Sequence, residues 1–243
     1  MEYTVLRYET LDSTNRFLRE YIPPQGEKMT VAVCSYQTNG RGQGSNRWES
    51  EAGKNLLFSI LTHPRTVPAR QQFVLSMAEA LAQKDALDTY TGGITLKWPN
   101  DIYWNDMKIA GTLIETRISG GMVTDCITGT GINVNQRHFS GDAPNPVSLL
   151  NVTGREADLS RLLETVMDAF CKYYDMACRG GYDYISKRYH EALYRRAGVY
   201  EYEDSGGRFL AEIVRVEATG RIVLRRSGGD IRSYAFKEVR FII

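Results

Sequence analysis

The chain has 243 residues, of which 42% are hydrophobic and 24% are charged, a composition typical of a globular protein. The formal net charge of +1 excludes a broadly basic nucleic-acid-binding surface, so any anion must be bound by a local group of cations. No apolar run approaches the ~20 residues of a membrane span, and the N-terminus lacks a secretory signal pattern. The four cysteines form no Cys-x-x-Cys pair, which predicts reduced thiols in a cytoplasmic protein. The three histidines lack metal-ligand spacing, so a zinc site is not expected.

The first part of the chain predicts strands that alternate with helices. Asp12 to Asn15 are typical of a helix start, because short polar side chains cap the first backbone N–H groups. Apolar residues recur at helical spacing over 68–90. Residues 105–106 and 119–121 are typical of tight turns between strands. The strands are expected over 2–9, 31–36, 55–62 and, with turns, 94–135.

The second part predicts a loop, two helices and a small β region. Residues 136–155 are rich in Pro, Gly and Asn and predict a loop, which is followed by helices over 158–177 and 183–195. After Arg196, short alternating strands separated by glycine turns are typical of a small barrel. We therefore predict an α+β fold, with a mixed-sheet body over 1–195 and a small C-terminal β-barrel over 196–243.

The stretch from Gly40 to Trp48 reads Gly-Arg-Gly-Gln-Gly-Ser-Asn-Arg-Trp. Successive N–H groups of a glycine-rich turn can form an anion-binding nest, and arginine adds forked donors that suit phosphate or carboxylate. The spacing matches neither a P-loop nor a dinucleotide-binding turn. Taken alone, the stretch is equally compatible with a surface turn that carries two solvated arginines.

Three further motifs hold polar residues next to glycine or proline. In Lys97 to Asp101, Pro99 restricts the backbone and displays Asn100 and Asp101 at a bend. In the strand that begins at Lys108, Gly111 permits the close approach of a ligand. In the stretch from Gly129 to Asn135, Asn133 lies between two apolar residues and needs hydrogen-bond partners. Each motif alone is also compatible with an ordinary turn or strand end.

Together, these motifs resemble the biotin–protein ligase family. The matching elements, in order, are Asp-Ser-Thr-Asn at 12–15, Gln37 before Gly-Arg-Gly, Lys-Trp-Pro-Asn-Asp at 97–101, Lys-Ile-Ala-Gly at 108–111 and Gly-x-Gly-Ile-Asn-x-Asn at 129–135. The later helices and the terminal β segment match in kind. Lipoate ligases share the general fold but lack this set of motifs. The resemblance implies a class II synthetase-like mixed-sheet catalytic domain followed by an SH3-like barrel.

The resemblance also implies a reaction. Biotin and ATP would give biotinyl-5′-AMP and pyrophosphate, and biotin would then pass to a lysine of the biotin carboxyl carrier domain of acetyl-CoA carboxylase or a related carboxylase. Mg²⁺ would arrive with ATP, near Asn100 and Asp101, and no tightly bound metal is expected. Lys108 and Arg41 are the implied catalytic residues, with Lys97 as the rival lysine.

The resemblance assigns two sets of binding residues. Those implied for biotin are Ser13, Thr14, Asn15, Gln37, Gly40, Arg41, Gly42, Gly111, Leu113 and Gly129. Those implied for the nucleotide are Arg41, Gln43, Arg47, Trp48, Asn100, Lys108 and Asn133.

The chain departs from the family pattern at one position of the glycine loop. The family loop usually runs Gly-Arg-Gly-Arg, whereas Gln43 holds the fourth position here, and Asn46 stands where a basic residue is common. We expect Arg47 to replace part of the missing charge. The implied catalytic body begins within the first dozen residues, which predicts a short form without an N-terminal DNA-binding domain and without a DNA partner.

Other functions stay open at this point. A lipoate or octanoate ligase or transferase of the same fold is one alternative, and a non-catalytic biotin sensor is another. A nucleic-acid-binding barrel is a third, since Arg221, Arg225, Arg226 and Arg232 cluster in the C-terminal segment. The oligomeric state is also open, because a monomer and a homodimer that pairs exposed strands are both compatible with the sequence.

Overall fold

The first part of the chain forms a seven-stranded mixed sheet. A computed structural model describes residues 2–44, 46–140 and 144–243. The strands are β1 (Thr4–Leu11), β2 (Met29–Gln37), β3 (Leu56–Thr62), β4 (Ile94–Lys97), β5 (Asp101–Trp104), β6 (Met107–Ser119) and β7 (Met122–Ile132). Their order is β1-β2-β3-β7-β6-β5-β4, in which β1 and β2 are parallel and the other neighbours are antiparallel.

Helices cover the two faces of this sheet unequally. They are α1 (Thr14–Glu20), α2 (Phe73–Leu87), α3 (Leu149–Thr153), α4 (Leu159–Cys178) and α5 (Tyr182–Glu191). Successive strand residues point to opposite faces. Ile60 belongs to the large core that includes α2 and α4, whereas Leu61 packs with Leu18 of α1 in a smaller cluster. The face that carries the short helix α1 is therefore left with room for a cavity.

The C-terminal segment forms a second, antiparallel sheet. Its strands are β8 (Tyr200–Asp204), β9 (Gly207–Val216), β10 (Ile222–Arg226), β11 (Ile231–Tyr234) and β12 (Arg240–Phe241), in the order β11-β10-β9-β8-β12. The Trp98 indole N–H donates a hydrogen bond to the Gly220 carbonyl at 2.9 Å, and the Val216 N–H donates one to His190 Nε2 at 2.7 Å. Buried side chains of both sheets belong to one continuous core, so the small sheet is fixed against the body.

The arginines of the C-terminal segment are paired with carboxylates. Arg221 lies beside Glu238, Arg225 beside Glu212, Arg226 beside Asp204 and Arg232 beside Asp230. Within the described ranges, no helix combines the length and the apolar composition that crossing a membrane requires.

Most predicted elements are confirmed, with one clear correction. The strands, the turns and the helices after residue 155 occur where predicted, although α5 ends at Glu191 and helix α2 is preceded by a short 3-10 turn. The predicted loop over 136–155 was wrong at its end, because α3 forms there. Ser148 caps this helix by accepting a hydrogen bond from the Asn151 N–H at 3.1 Å. Ser45 and residues 141–143 of the predicted segments lie outside the described residues. The domain boundary at 195/196 stays a prediction.

Candidate active site

A cavity of about 960 Å³ lies on the face of the large sheet that carries α1. Its walls come from the glycine loop (residues 40–48), the segment that follows β7, and Phe236 of the C-terminal sheet. Of the residues predicted to bind biotin or the nucleotide, all except Gly40 line it: Ser13, Thr14, Asn15, Gln37, Arg41, Gly42, Gln43, Arg47, Trp48, Asn100, Lys108, Gly111, Leu113, Gly129 and Asn133. Asp101 and Lys97 line it as well. The structure thus brings together motifs that are far apart in sequence.

One end of the cavity is a buried polar cluster at the start of α1. Gln37 Oε1 accepts hydrogen bonds from the Thr14 N–H at 2.8 Å and from the Thr14 hydroxyl at 3.2 Å. The Ser59 hydroxyl lies 2.7 Å from Thr14 Oγ1 and 2.6 Å from Asn15 Oδ1. Ser13 is also buried, and its side chain makes no capping bond to α1. Hydroxyl and amide groups are therefore held in fixed positions at this end.

Gly129 makes room for Asn15 in this cluster. A methyl group at position 129 would collide with the Asn15 side-chain amide. The Asn15 amide donates to the Leu113 carbonyl at 3.3 Å and to Glu115 Oε2 at 3.0 Å. Gly129, which was predicted to admit a ligand, thus also makes room for the side chain of Asn15, which was predicted to bind biotin.

The middle of the cavity floor is a strip without side chains. This glycine strip consists of Gly111 on β6 and Gly131 on β7, which are paired in register. The Trp48 ring lies on this strip, because a methyl group at Gly131 would collide with it and one at Gly111 would lie 3.1 Å from its Cζ3. Trp48 is half-buried and stands outside the hydrophobic core, so its ring occupies the cavity rather than fixing the loop in the core.

The two ends of the glycine loop are paired with each other. Arg41 and Arg47 are paired as an antiparallel bridge, and the Trp48 N–H donates to the Gly40 carbonyl at 3.0 Å. Gln43 Oε1 and Trp48 Nε1 are buried, and neither has a hydrogen-bond partner among the described residues. Each such atom costs about 1–3 kcal/mol. A loop with two unsatisfied polar atoms gains stability from any ligand or rearrangement that satisfies them.

Three charged side chains meet beyond the glycine strip. Asp101 Oδ1 lies 2.6 Å from Lys108 Nζ, and Asp101 Oδ2 lies 3.9 Å from Lys97 Nζ. Lys97 Nζ lies 5.1 Å from the ring centroids of both Tyr103 and Phe241. Burial lowers the pKa of Lys97 below its ordinary value, and Lys108 acts in the same direction, while Asp101 opposes the shift. Lys97 is thus packed between aromatic rings, whereas Lys108 borders the glycine strip.

The two predicted asparagines differ in their surroundings. The Asn100 amide donates to the Thr112 carbonyl at 2.5 Å, so one half of this side chain has a structural partner. Asn133 is buried, and its backbone N–H donates to the Ile109 carbonyl at 2.9 Å. No described residue hydrogen-bonds the Asn133 side-chain amide, which lines the cavity. A ligand edge with one donor and one acceptor would satisfy it.

A buried carboxyl group lies beneath the cavity floor. Thr130 donates to Glu79 Oε1 at 2.9 Å, and Gln83 donates to Thr112 Oγ1 at 2.7 Å. Burial raises the pKa of Glu79 to about 7, although the hydrogen bonds from Thr130 and Gln83 act in the opposite direction. Thr112 and Thr130, which line the cavity, are therefore hydrogen-bonded to Gln83 and Glu79 of α2.

Several cavity residues carried no recognisable signal in the sequence. Phe236 belongs to a segment whose alternating pattern indicates strands only, and its place in the cavity depends on how the small sheet docks. The segment after β7 contributes His138, Phe139, Pro144 and Pro146, and β5 contributes Tyr103. Within the residues that the structure describes, no cluster of three or more His, Cys, Asp or Glu is arranged to hold a metal ion.

The fold and this site define an α+β protein with a ligand cavity on one face of its large sheet. Lysine and arginine side chains line this cavity. Residues 8–133 match the biotin/lipoate A/B protein ligase family. The biotin--[acetyl-CoA-carboxylase] ligase of Paracoccus denitrificans is 32% identical over 171 residues, which cover 67% of this chain and 69% of that protein. The chain therefore belongs to the biotin/lipoate A/B protein ligase family, among the relatives named biotin–protein ligases.

A longer relative agrees with this placement, and a solved structure shares the fold. The bifunctional ligase/repressor BirA of Bacillus subtilis strain 168 is 30% identical over 176 residues, which cover 70% of this chain and 53% of that protein. The chain thus spans about half the length of that relative. The solved biotin protein ligase from Aquifex aeolicus in complex with biotin and ATP has a TM-score of 0.81 at 24% identity, over 98% of this chain and 99% of that one. This likeness confirms the predicted fold class.

Proposed function

We propose that the chain activates biotin with ATP and transfers the biotinyl group to a lysine of a biotin carboxyl carrier domain. One observation carries this proposal. The polar cluster at Thr14, the glycine loop and Lys108 all line the same cavity. The names of the relatives support biotin as the substrate. The Paracoccus ligase supports acetyl-CoA carboxylase, or a related carboxylase, as the source of the carrier domain.

The buried polar cluster is the proposed binding site for the biotin head. A ureido ring presents one acceptor and two donors, which hydroxyl and amide side chains complement. Thr14, Asn15 and Gln37 supply such groups within hydrogen-bond distance of one another or of Ser59. Leu113 and Gly129 line the cavity beside them, where the thioether ring and the aliphatic chain would lie. The carboxylate would then point toward the glycine strip.

The first proposed step joins the biotin carboxylate to the α-phosphorus of ATP. A carboxylate oxygen forms the new bond to phosphorus, and the bond from phosphorus to pyrophosphate breaks. Lys108 stabilises the negative charge that develops on the phosphoryl oxygens, as a preorganised cation does in a site that excludes water. Arg41 adds forked donors from the glycine loop, and Asn133 would meet the edge of the adenine ring.

Magnesium enters this proposal as part of the ATP co-substrate. Mg²⁺ prefers oxygen ligands and usually binds through one or two carboxylates together with substrate phosphates and water. The Asp101 carboxylate and the remaining oxygen of the Asn100 amide are suitable protein ligands near the phosphates. Because Asp101 already contacts Lys108, this site would be weak without the nucleotide.

The second proposed step releases AMP. The amine of the carrier lysine attacks the carbonyl carbon of the biotinyl adenylate, an amide bond forms, and the bond to the phosphate oxygen breaks. The mixed anhydride must be shielded from water until the carrier arrives. The glycine loop is the proposed lid, since Arg41, Gly42 and Gln43 already border the cavity. We place this reaction in the reducing cytoplasm, where the chain's free cysteines would persist.

Pyrophosphate release tests the proposed function. The purified chain is incubated with ATP and biotin, with ATP and lipoate, with ATP and octanoate, and with ATP alone. We expect release with biotin only, and a mass increase of one biotinyl group on an added carrier domain. Release with lipoate or octanoate instead would identify the family's other activity. Tight biotin binding without pyrophosphate release would identify a sensor.

A further inference from the structure

A carboxylate on β6 lies behind the buried polar cluster at the start of α1. Glu115 follows Leu113 at the next position on the cavity face of its strand, and it lies outside the described lining of the cavity. Its two oxygens have different partners. Oε2 accepts a hydrogen bond from the Asn15 amide at 3.0 Å, and Oε1 accepts one from the Arg19 guanidinium group. Glu115 thus joins an exposed arginine of α1 to a buried amide of the same helix.

These contacts determine which way the Asn15 amide faces. Carboxylate and carbonyl oxygens only accept hydrogen bonds, so the Asn15 atom that faces Glu115 and the Leu113 carbonyl is the nitrogen. Both amide protons are then in use. The Asn15 oxygen lies 2.6 Å from the Ser59 hydroxyl and can only accept from it. Asn15 is therefore oriented by Glu115, and its two donors are committed to protein oxygens.

The orientation of Asn15 extends to Thr14 through Ser59. A serine hydroxyl has one proton, and the 2.6 Å contact with the Asn15 oxygen requires it. The single Thr14 hydroxyl proton is then shared between Ser59 Oγ at 2.7 Å and Gln37 Oε1 at 3.2 Å. The protons that link Thr14 to Ser59 and Ser59 to Asn15 all point toward Glu115. Both lone pairs of the Thr14 hydroxyl are left to accept hydrogen bonds in the cavity.

We infer that Glu115, held by Arg19, is a positioning residue that makes Thr14 an acceptor for a ureido N–H of biotin. The identity of this ligand rests on the proposed function. A turned Asn15 amide would present its nitrogen to Ser59, whose proton would then point at Thr14 and occupy one of the two lone pairs. The carboxylate thus favours a ligand head that carries N–H donors, which the heads of lipoate and octanoate lack.

Replacing Glu115 with glutamine tests the orientation with little change in size. The Arg19 guanidinium group, as a cation, takes the oxygen of the introduced glutamine, and the nitrogen of that glutamine then faces Asn15. The Asn15 amide has to turn to offer its oxygen. Replacing Arg19 with Met in the same chain lets the introduced glutamine turn its oxygen back to Asn15. The double variant should therefore recover what Glu115→Gln loses.

Calorimetry on the full chain measures the affinities for biotin and for ATP. We expect Glu115→Gln to weaken biotin binding by about five- to tenfold and ATP binding by less than about twofold. The same loss is expected for desthiobiotin, which keeps the ureido group. Arg19→Met and the double variant should bind biotin within about threefold of the wild type. Glu20→Gln is the matched control, because this exposed carboxylate of α1 pairs with Arg16, and it should change neither affinity.

Unchanged biotin affinity in Glu115→Gln would overturn the inference. So would a double variant that binds biotin no better than Glu115→Gln, because a purely structural loss is not repaired by removing Arg19. Equal losses of biotin and ATP affinity would also contradict it, since they would indicate a displaced sheet. Urea unfolding shows whether the variants fold. Because calorimetry reports biotin binding directly, a wild-type chain that binds biotin without releasing pyrophosphate would contradict the proposed function while the role of Glu115 is still decided.

Discussion

The Asp101 carboxylate accepts a 2.6 Å hydrogen bond from the Lys108 ammonium group at the edge of the glycine strip. The two residues lie on neighbouring strands that pair in the sheet, so the contact is built into β5 and β6 rather than into a loop. Lys108 is thus held by an anion of the neighbouring strand. A phosphate or carboxylate of a substrate has to compete with Asp101 for the same ammonium group.

The first prediction separates the two lysines of the site. Replacing Lys108 with Met should lower the kcat of biotin-dependent pyrophosphate release by about 10²- to 10³-fold, since it removes a cation that stabilises developing charge. Lys97→Met should reduce kcat by less than about tenfold, because Lys97 is packed between Tyr103 and Phe241. Circular dichroism confirms folding of both variants. A larger kcat loss for Lys97→Met would exchange the two roles.

A second prediction concerns Gln43. Replacing it with Arg should slow the release of free adenylate several-fold, because a guanidinium group there can contact the phosphate. Release is followed by trapping free adenylate in the absence of a carrier domain. Gln25→Arg adds the same charge at an exposed position outside the cavity and should change nothing. An unaltered release rate in Gln43→Arg would show that the loop retains the adenylate without charge at this position.

The third prediction uses the space at Gly129. Gly129→Ala should raise the KM for biotin by about tenfold or more, because its methyl group would displace the Asn15 amide. Gly92→Ala is the matched control, since a methyl group there has no atom within 4 Å. Steady-state kinetics with varied biotin provides the comparison. If both variants bind biotin equally well, Asn15 lies outside the biotin site or moves without cost.

The fourth prediction concerns the buried carboxyl group of Glu79. Its pKa rises from 4.5 to about 7 on folding, so the folded state binds the proton more tightly than the unfolded chain. This contribution to stability is fully present below pH 4.5 and is lost as the pH rises through 7. Between pH 4 and 8, the free energy of unfolding of the wild type should fall relative to Glu79→Gln by on the order of 3 kcal/mol.

Urea unfolding at a series of pH values measures this difference. Because the other titrating groups are shared, subtracting the two curves isolates Glu79. Glu164→Gln, at an exposed position of α4, should follow the wild-type curve at every pH. Parallel curves for the wild type and Glu79→Gln would show that the carboxyl group gains solvent or a partner in solution.

The sequence predicted the cavity floor better than the cavity walls. Gly111 and Gly129 lie on strands and Asn133 directly follows β7, and the alternation and glycine content of strands indicate which face a ligand can approach. Phe236 could not be found in this way, because its position depends on contacts such as that between Trp98 and Gly220. Such long-range docking leaves no periodic pattern in the sequence.

Helix α3 was missed for a different reason. The stretch that contains it is rich in proline and glycine, and this composition outweighed a local signal. Ser148 and Asn151 form a capping pair at the spacing that begins a helix, and Gly154 ends it in the left-handed conformation with φ at 71°. Reading caps before composition would have predicted this short helix.

The position of Trp48 also changes how affinity for the site should be understood. Its indole ring lies against the paired glycines 111 and 131. A side chain of the glycine loop therefore occupies part of the cavity. A ligand that binds on the glycine strip exchanges with this ring, so its apparent affinity equals its intrinsic affinity multiplied by the fraction of molecules in which the ring has left the strip.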